Sequence, residues 1–351
     1  MDKFVCVRIP QANNIDLTKF QFDYDLTLAA FFMNADGTIY GRFGSRSSRD
    51  EATEDISLEG FAASLAGALK LHERYPANKQ YLVGKQGQPV TYKKPNDLPS
   101  LRGRYKEKIN YGAQSVKSCM HCHQIPDAER LTFRNARKPI PDRLLFAYPM
   151  PDVIGFKLNA NTRATVAKVK PNSAADRASL NIGDEILTMQ GQAILSIADA
   201  QWVLHHTDDS DQLGIRVLRK GETADLSIEV ESGWRSATDI TWRVSSWELR
   251  RMGTGGLLVT AASIEDRRRA KVDHSQMALL VKHVGQYGAH AVAKKAGFKK
   301  GDVIISFDDK TDLMTDSALL GYAAQNTKPG DKVDVVVKRG AQRLEMKLLM
   351  Q

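Results

Sequence analysis

The sequence of 351 residues contains little cysteine and no long apolar run. Its three cysteines are Cys6, Cys119 and Cys122, and two of them share one short motif. So few cysteines exclude a disulfide framework. The longest apolar stretch lies within residues 26–33, which is far shorter than the ~20 apolar residues that a membrane-spanning helix needs. The sequence therefore predicts no membrane span.

Aromatic residues are also few, and the positive charge is not arranged as in nucleic-acid-binding proteins. Only 7% of residues are aromatic, while the net charge is +9. The basic clusters, at 102–108, 134–143 and 267–271, contain a single aromatic residue, Tyr105, and no recognised nucleic-acid-binding fold accompanies them. We therefore expect no nucleic-acid partner, and interpret the clusters as solvated faces or as attraction for anionic lipid or acidic proteins. No signal peptide is recognisable at Met1.

The strongest organisational signal is an internal repeat. Each copy has a Val-x-x-Val strand, a Gly-Asp turn before an apolar strand, a helix-length segment, and two strands around a basic turn. These segments are 166–169, 183–187, 197–206, 213–218 and 224–230 in the first copy, and 281–284, 301–305, 315–325, 332–337 and 343–349 in the second. Gly-Asp favours a turn, and alternating apolar residues are typical of half-buried strands. The repeat predicts two small β-rich domains.

The two copies resemble the PDZ domains of bacterial HtrA-type proteases. We define the first repeat as 150–232 and the second as 233–351, the latter with a Trp-rich lead-in and an insertion at about 260–276. The resemblance implies that a peptide or protein C-terminus adds as a strand to a sheet edge, and that a loop before that strand receives its carboxylate. The matching loops are Val153-Ile154-Gly155-Phe156 and Gly255-Gly256-Leu257-Leu258. Alternatively, these glycines only form hairpin bends.

No serine protease domain accompanies this resemblance, because no Gly-x-Ser-x-Gly or equivalent nucleophile turn occurs in the sequence. The sequence therefore predicts no protease triad and assigns no catalytic residue.

Residues 1–78 predict a strand, a hairpin and a helix. Phe4–Ile9 alternates like a buried strand, with Cys6 as a small buried side chain. An Asp-Gly turn at 36–37 predicts a hairpin, and Ser57 is a candidate N-cap for a helix that extends to Tyr75. This order resembles the C-terminal half of a thioredoxin fold, without the half that carries the redox Cys-x-x-Cys.

The whole arrangement resembles a bacterial family of thioredoxin-like/PDZ (seleno)proteins. That resemblance implies a redox cysteine or selenocysteine upstream of Met1, so that the sequence is expected to begin inside a domain. It implies thiol oxidoreductase activity only if the upstream half is present.

The linker 79–149 carries one motif with chemistry, Cys119-Met120-His121-Cys122-His123. Cys-x-x-Cys-His is the pattern of haem c attachment, in which two thiols form thioethers and the histidine binds iron. We expect a preceding helix at 102–117 and Met150, or alternatively His72, as the sixth ligand. Zinc held by Cys119, Cys122 and either His121 or His123 is an alternative cofactor, and a redox dithiol is another.

The sequence as a whole predicts an α+β multidomain protein, with a partial thioredoxin-like fold followed by two PDZ-like β-barrel or sandwich domains. We expect an exported, redox-associated protein that binds peptides through its PDZ domains and haem c through its motif. Because haem c is attached outside the cytoplasmic membrane, we expect a periplasmic or otherwise extracytoplasmic location. The main alternative is a non-enzymatic PDZ adaptor with vestigial redox parts. The Trp-rich stretch between the repeats predicts an interdomain contact.

Overall fold

A computed structural model describes residues 2–48, 54–107, 109 and 118–351 of the chain. Its N-terminal part contains the predicted hairpin and helix. Strands β1 (Ala30–Met33) and β2 (Ile39–Phe43) pair antiparallel, and the turn between them uses Gly37 at a φ of 88°. Helix α1 (Leu58–His72) begins where the Ser57 hydroxyl accepts a hydrogen bond from the Gly60 N–H at 2.9 Å. The predicted turn and N-cap are therefore confirmed.

The buried strand predicted at Phe4–Ile9 is wrong. These residues form no strand, Val5 and Val7 are 94% and 82% exposed, and Cys6 is also exposed. An alternating apolar pattern forms a strand only where a neighbouring strand supplies the hydrogen bonds, and the sheet of β1 and β2 has only two strands among the described residues. The thioredoxin-like resemblance needs a third strand, which is absent from this part of the structure.

The following linker consists of short helical segments that pack against the beginning of the chain. Two 3-10 helices span Lys79–Lys85 and Pro95–Asp97, and helices α2 and α3 span Gln124–Asn135 and Asp142–Leu145. One buried cluster joins the N-terminal segment to the motif region and to α2 (Ala12, Leu17, Leu98, Leu101, Met120, Ile125 and Ala128). The helix predicted at 102–117 falls largely on residues outside the described ranges.

The first repeat folds around one core. Its elements are a 3-10 helix at Pro151–Ile154, β3 (Phe156–Leu158), β4 (Val166–Val169), α4 (Ala174–Arg177), β5 (Glu185–Met189), β6 (Gln192–Ala193), α5 (Ile197–His206), β7 (Gln212–Arg219) and β8 (Glu222–Glu229). Strands β3 and β4 form one sheet, and the order in the other is β6-β5-β7-β8. Trp202 on α5 is buried in the core between them.

The second repeat has the same plan with an added helix. Its elements are α6 (Ser246–Thr254), β9 (Leu257–Ala261), α7 (Ile264–Ala270), β10 (Leu279–Val284), α8 (Val292–Lys295), β11 (Val303–Phe307), α9 (Asp316–Asn326), β12 (Lys332–Arg339) and β13 (Gln342–Leu349). The sheet order is β13-β12-β11-β10-β9. The predicted insertion forms α7, whose first turn has a capping box of Ser263 and Asp266.

Identical backbone contacts show that the two repeats are structurally equivalent. The N–H of Val166 donates to the Asp184 carbonyl at 2.8 Å, and the N–H of Val281 donates to the Asp302 carbonyl at the same distance. The buried cores of the two repeats are separate clusters. The repeat read from the sequence is thus a repeat of the fold. No helix among the described residues has the length and apolarity to cross a membrane.

The Trp-rich stretch between the repeats carries a buried ionic network that joins distant parts of the chain. Arg243 pairs with Asp23, and its Nη1 lies 3.7 Å from Asp25 Oδ2. The Ser245 N–H and hydroxyl donate to the Asp25 carboxylate at 2.8 and 2.6 Å, and Arg130 Nη1 donates to the Ser245 hydroxyl at 2.7 Å. All five side chains are buried. This network holds the N-terminal segment, α2 and the stretch before the second repeat together, as expected of an interdomain contact.

Candidate functional site

The predicted loop of the first repeat leads directly into an edge strand. The 3-10 helix at Pro151–Ile154 places Val153 and Ile154 before Gly155, which has a φ of 103°. A Cβ at Gly155 would come within 2.0 Å of the Ser173 hydroxyl, so the position requires glycine. Phe156 begins β3, which pairs with β4 alone among the described residues.

A groove lies between β3 and α5 of the first repeat. Its end farthest from the Val153–Phe156 loop is covered by other parts of the chain. The Ser57 hydroxyl donates to the Ala160 carbonyl, just beyond β3, at 2.8 Å. Phe43, Asp55, Ala160 and Ile197 line a cavity of only about 10 Å³ there. The N-terminal hairpin and α1 therefore close the far end of the groove in the first repeat.

The loop itself borders a larger cavity of about 410 Å³. Asp152 and Gly155 line one side of it, and Lys170, Arg177 and Trp234 contribute other parts of its wall. Burial raises the pKa of the Asp152 carboxyl above its usual value. The first loop is therefore accessible from this side, next to two basic side chains.

The predicted loop of the second repeat follows α6 and also precedes an edge strand. Gly255 and Gly256 have φ values of 62° and 91°, and a Cβ on Gly256 would lie 2.1 Å from the His290 carbonyl oxygen. Leu257 and Leu258 begin β9, which pairs only with β10 among the described residues. Both predicted loops thus form a left-handed glycine turn before a strand with one unpaired edge.

The end of β9, unlike that of β3, is open to solvent. Thr260 and Ala261 are exposed. The Ala262 N–H donates to the Ala278 carbonyl at 2.9 Å, toward β10. Because N–H groups alternate in direction along a strand, the Ala261 N–H points away from β10, toward the unpaired edge. This edge is a template for one more strand.

Helix α6 packs closely on α9 and fixes the approach to the second loop. A Cβ on Gly253 would lie 3.0 Å from the Ala323 Cβ, which shows how near the two helices come. Arg250 forms a buried ion pair with Asp316 at the start of α9. An aspartate near the start of a helix is expected to be solvated from its charge alone, but Asp316 is buried because its partner Arg250 lies far away in the sequence.

The cysteine motif is anchored by the N-terminal segment. The Met120 N–H donates to Asn13 Oδ1 at 2.7 Å, and the Ala12 N–H donates to the Met120 carbonyl at 3.1 Å. Asn13 Nδ2 donates to the carbonyls of Ser118 and Lys106 at 2.8 and 2.7 Å. Met120 is fully buried. Met120, one of the two residues between the cysteines, therefore serves as a hydrophobic anchor, and Asn13 is a site residue that sequence patterns do not reveal.

The two thiols lie beside the start of α2. Cys119 and Cys122 are free and partly buried. Burial, and secondly the neighbouring Cys119, raise the pKa of the Cys122 thiol. The Cys122 carbonyl accepts a hydrogen bond from the Ile125 N–H at 2.9 Å, so the motif leads directly into the helix.

His123 is the N-cap residue of α2 and faces an acid. Its Nδ1 lies 3.8 Å from Asp127 Oδ2, beyond hydrogen-bonding distance, and the neighbouring Asp127 carboxylate raises the pKa of the His123 imidazole. His121 is exposed, and its ring stacks with that of His123 at a centroid distance of 5.7 Å. Histidines that bind metals commonly donate their other ring N–H to a carboxylate, and Asp127 lies on the Nδ1 side of His123, where such a partner would be needed.

The predicted sixth ligands lie elsewhere. Met150 packs against the core of the first repeat, a different cluster from the one that contains Met120. His72 Nδ1 bonds the Tyr40 hydroxyl at 2.8 Å. Within the described residues, no three His, Cys, Asp or Glu side chains are grouped so that they could hold a metal ion. Cys119, Cys122 and His123 thus lie along one short segment of the chain, but within the described residues their side chains are not grouped as metal ligands.

Comparison with known proteins identifies the repeats. The sequence model of the PDZ domain family matches residues 152–230 and 278–350. The periplasmic serine endoprotease DegP of Salmonella typhimurium is 27% identical over 150 residues, which are 43% of this chain and 27% of that protein. A probable periplasmic serine protease do/HhoA-like of Haemophilus influenzae is 26% identical over 153 residues, 44% of this chain and 29% of that protein.

Solved structures of an HtrA-type protease also align with the chain. The HtrA-type protease AlgW with a decapeptide is 19% identical, covering 39% of this chain and 40% of that chain, with a TM-score of 0.24. The chain matches less than a third of the length of either curated protease. The family match and the equivalent backbone contacts identify residues 152–230 and 278–350 as two PDZ domains, similar to those of DegP-type periplasmic proteases.

Proposed function

We propose that the chain binds peptide segments through its PDZ domains, with the second domain as the main site. The observation that carries this proposal is the unpaired edge of β9, which follows the Gly255-Gly256 turn and ends at two exposed residues. A peptide that lies along this edge gains main-chain hydrogen bonds from it. Its terminal carboxylate would bind at the glycine turn, as the family resemblance implies. The first domain has the same turn, but its groove is covered at one end.

Ala261 allows a test that changes the edge and leaves the β9–β10 ladder intact. Substitution Ala261→Pro removes an N–H that points away from β10, and Ala261→Val retains it. With a fluorescent peptide selected from a C-terminal peptide library, Ala261→Pro should weaken binding about fivefold, the equivalent of about 1 kcal/mol for one hydrogen bond.

Amidation of the same peptide tests the turn, because the amide removes the carboxylate that the turn is proposed to receive. We expect Ala261→Val to bind like the wild type and the amidated peptide to bind at least about tenfold more weakly, since hydrogen bonds to charged groups contribute about 1.5–3 kcal/mol. Equal binding by both variants, together with no effect of amidation, would contradict the proposal.

We also propose that Cys119, Cys122 and His123 bind haem c. What favours this second function is the position of Asp127 near Nδ1 of His123, since a carboxylate at the other ring nitrogen commonly orients a metal-binding histidine. The two thiols would form the thioether bonds, and the haem would supply one-electron chemistry. An extracytoplasmic location follows for the proposed haem protein and agrees with the periplasmic location in the names of the related proteases.

Expression with a haem c maturation system tests the cofactor. A pyridine haemochrome spectrum should show covalent haem in the wild type and in Cys6→Ser, which changes an exposed cysteine outside the motif. The double variant Cys119→Ser/Cys122→Ser should contain none. A colourless product with bound zinc would favour the zinc alternative, and covalent haem in the double variant would refute the assignment.

A further inference from the structure

The second PDZ domain contains a cavity of about 430 Å³ between the end of β10 and the segment that follows α8. Its floor includes Val284 and Phe298, which are 6% and 3% exposed. Lys294, Lys299 and Lys300 line it, and all three are exposed. The cavity therefore combines an apolar floor with a basic rim.

The charge of this rim is not neutralised locally. No aspartate or glutamate is among the residues that line the cavity, and none of the three lysines forms an ion pair within the described part of the chain. The nearby Asp302 is buried and already paired with Arg339. Lys294 Nζ donates to the neutral Gln286 Oε1 at 2.7 Å, which holds its ammonium group at the rim. An acidic ligand would thus find three available positive charges.

The first PDZ domain lacks this rim, so the feature does not follow from the fold. Equivalent contacts align the two segments, because the N–H of Leu180 donates to the Ala175 carbonyl as the N–H of Phe298 donates to the Ala293 carbonyl, each at 3.1 Å. The residues equivalent to Lys294, Lys299 and Lys300 are then Asp176, Asn181 and Ile182. A carboxylate, an amide and an apolar side chain replace the three cations.

The cavity is also separate from the edge at which a peptide would add as a strand. Val284 pairs with Leu257 at the start of β9, so the cavity lies on the β10 side of β9. The open edge of β9 is on its other side. One domain therefore carries two surfaces that could be engaged at the same time.

We propose that this basic cavity binds an acidic segment of a partner polypeptide, with one apolar side chain on the floor and carboxylates at the lysines. Charge complementarity between the three lysines and carboxylates selects an acidic ligand. The apolar floor favours a polypeptide, because inorganic phosphate has no group that benefits from it. Each ion pair between an exposed lysine and a carboxylate of the ligand contributes about 0–1 kcal/mol to the binding free energy, so the affinity is modest and depends on salt.

The test uses the full chain and a fluorescein-labelled peptide of alternating Glu and Leu with an amidated C-terminus, measured by fluorescence anisotropy. The amide prevents binding by a terminal carboxylate, so the result is independent of the function proposed for the β9 edge. The triple variant Lys294→Glu/Lys299→Glu/Lys300→Glu should lose about tenfold or more in affinity, the sum of three exposed pairs of about 0.5 kcal/mol each. Raising NaCl from about 50 to about 300 mM should weaken wild-type binding.

A matched control makes the same change in charge on other elements of the second domain. The variant Lys310→Glu/Lys328→Glu/Lys332→Glu should bind within about twofold of the wild type, because interactions beyond a Debye length of about 10 Å are largely screened. A peptide with Ser in place of Leu should bind more weakly, since the floor is apolar. Circular dichroism shows whether Lys294→Glu/Lys299→Glu/Lys300→Glu folds. If it does not, Lys294→Gln/Lys299→Gln/Lys300→Gln takes its place in the measurement. The proposal would be overturned if both triple variants lost the same affinity for the peptide. It would also be overturned if the wild type did not bind the peptide, or bound the Ser and Leu peptides with equal affinity.

Discussion

Asp184 and Arg219 form a two-point ion pair that fastens the Gly-Asp turn of the first PDZ domain to the end of β7. Arg219 Nε and Nη2 donate to the two carboxylate oxygens at 2.7 and 2.6 Å. The second domain repeats the arrangement with Asp302 and Arg339, at 2.7 and 2.9 Å. Each aspartate is only 1% exposed, so the arginine is what makes the buried carboxylate tolerable.

Replacing Arg219 with Met should therefore destabilise the first domain substantially. The change leaves a buried carboxylate with one partner fewer, and we expect a loss of about 3 kcal/mol in the free energy of unfolding. Urea denaturation measures this loss.

The matched control is Arg216→Met, because Arg216 makes an equally well-aligned pair with Asp225 on the surface, at 2.8 and 2.9 Å. The control should cost less than about 1 kcal/mol. Similar losses in the two variants would show that burial of Asp184 is unimportant.

The buried network around Arg243 should hold the N-terminal segment against the rest of the chain. In Arg243→Met the carboxylates of Asp23 and Asp25 lose their cation in a buried environment, which costs about 3–5 kcal/mol. Burial already raises the pKa of the Asp23 carboxyl, even with Arg243 beside it. In Arg243→Met we expect proteolysis and hydrogen exchange of residues 20–45 to be faster than in the wild type, and to increase more there than in the PDZ domains.

A neutral combination separates the role of charge from that of packing in this network. The triple variant Asp23→Asn/Asp25→Asn/Arg243→Met removes the two carboxylates together with Arg243, so it should regain part of the lost stability, because neither carboxylate is then buried without that cation. Arg130 remains buried and charged in this variant and keeps its hydrogen bond to Ser245. If the triple variant is no more stable than Arg243→Met, the cost arises from lost packing and not from the unpaired carboxylates.

Local sequence chemistry predicted the elements that depend on near neighbours in the chain. The Asp-Gly turn, the Ser57 cap and the repeated Gly-Asp turns are each set by the conformation of a few consecutive residues. The helix predicted at 197–206 agrees with α5, whose apolar residues are buried along most of its length. The two PDZ domains follow from these same elements in the same order.

Contacts between distant residues were not predictable in this way. Asn13 bonds the backbone of Met120 across 107 positions, and a single asparagine in a loop has no pattern that reveals such a partner. Arg250 and Asp316 form a buried pair for which charge alone predicts exposure. At Phe4–Ile9 the alternation predicted a strand, but no strand within the described ranges pairs with it. In each case the deciding residue is far away in the sequence.

Removing the Asn13 side chain should loosen the cysteine motif. Asn13→Ala deletes the hydrogen bonds to Lys106, Ser118 and Met120. Because Cys122 is partly buried and its thiol pKa is raised, its reaction with a disulfide reagent at neutral pH should be slow in the wild type. We expect the variant to react several-fold faster at Cys119 and Cys122, since an opening that costs about 1 kcal/mol less is populated about fivefold more.

The reaction is measured in a Cys6→Ser background, because the exposed Cys6 would otherwise dominate the signal. Asn161→Ala serves as a control, since Asn161 is exposed in a loop of the first PDZ domain and its backbone N–H, which the substitution retains, donates to Asn159 Oδ1 at 2.9 Å. Equal thiol reactivity in the Asn13 and Asn161 variants would show that Asn13 does not position the motif.

His206 should make the first PDZ domain sensitive to acid. Its ring packs on Trp202 at a centroid distance of 4.1 Å, with Nδ1 2.8 Å from the Trp202 carbonyl. Burial lowers the pKa of His206 from 6.5 to about 4. The unfolded chain therefore binds a proton that the folded chain does not bind, and the stability present above pH 6.5 is lost as the pH falls toward 4.

The variant His206→Gln cannot titrate at this position, so its free energy of unfolding should fall less than that of the wild type over this interval. His274→Gln, in an exposed loop, should follow the wild type. Urea denaturation between pH 4 and 7 measures all three, and parallel curves for the wild type and His206→Gln would refute the assignment.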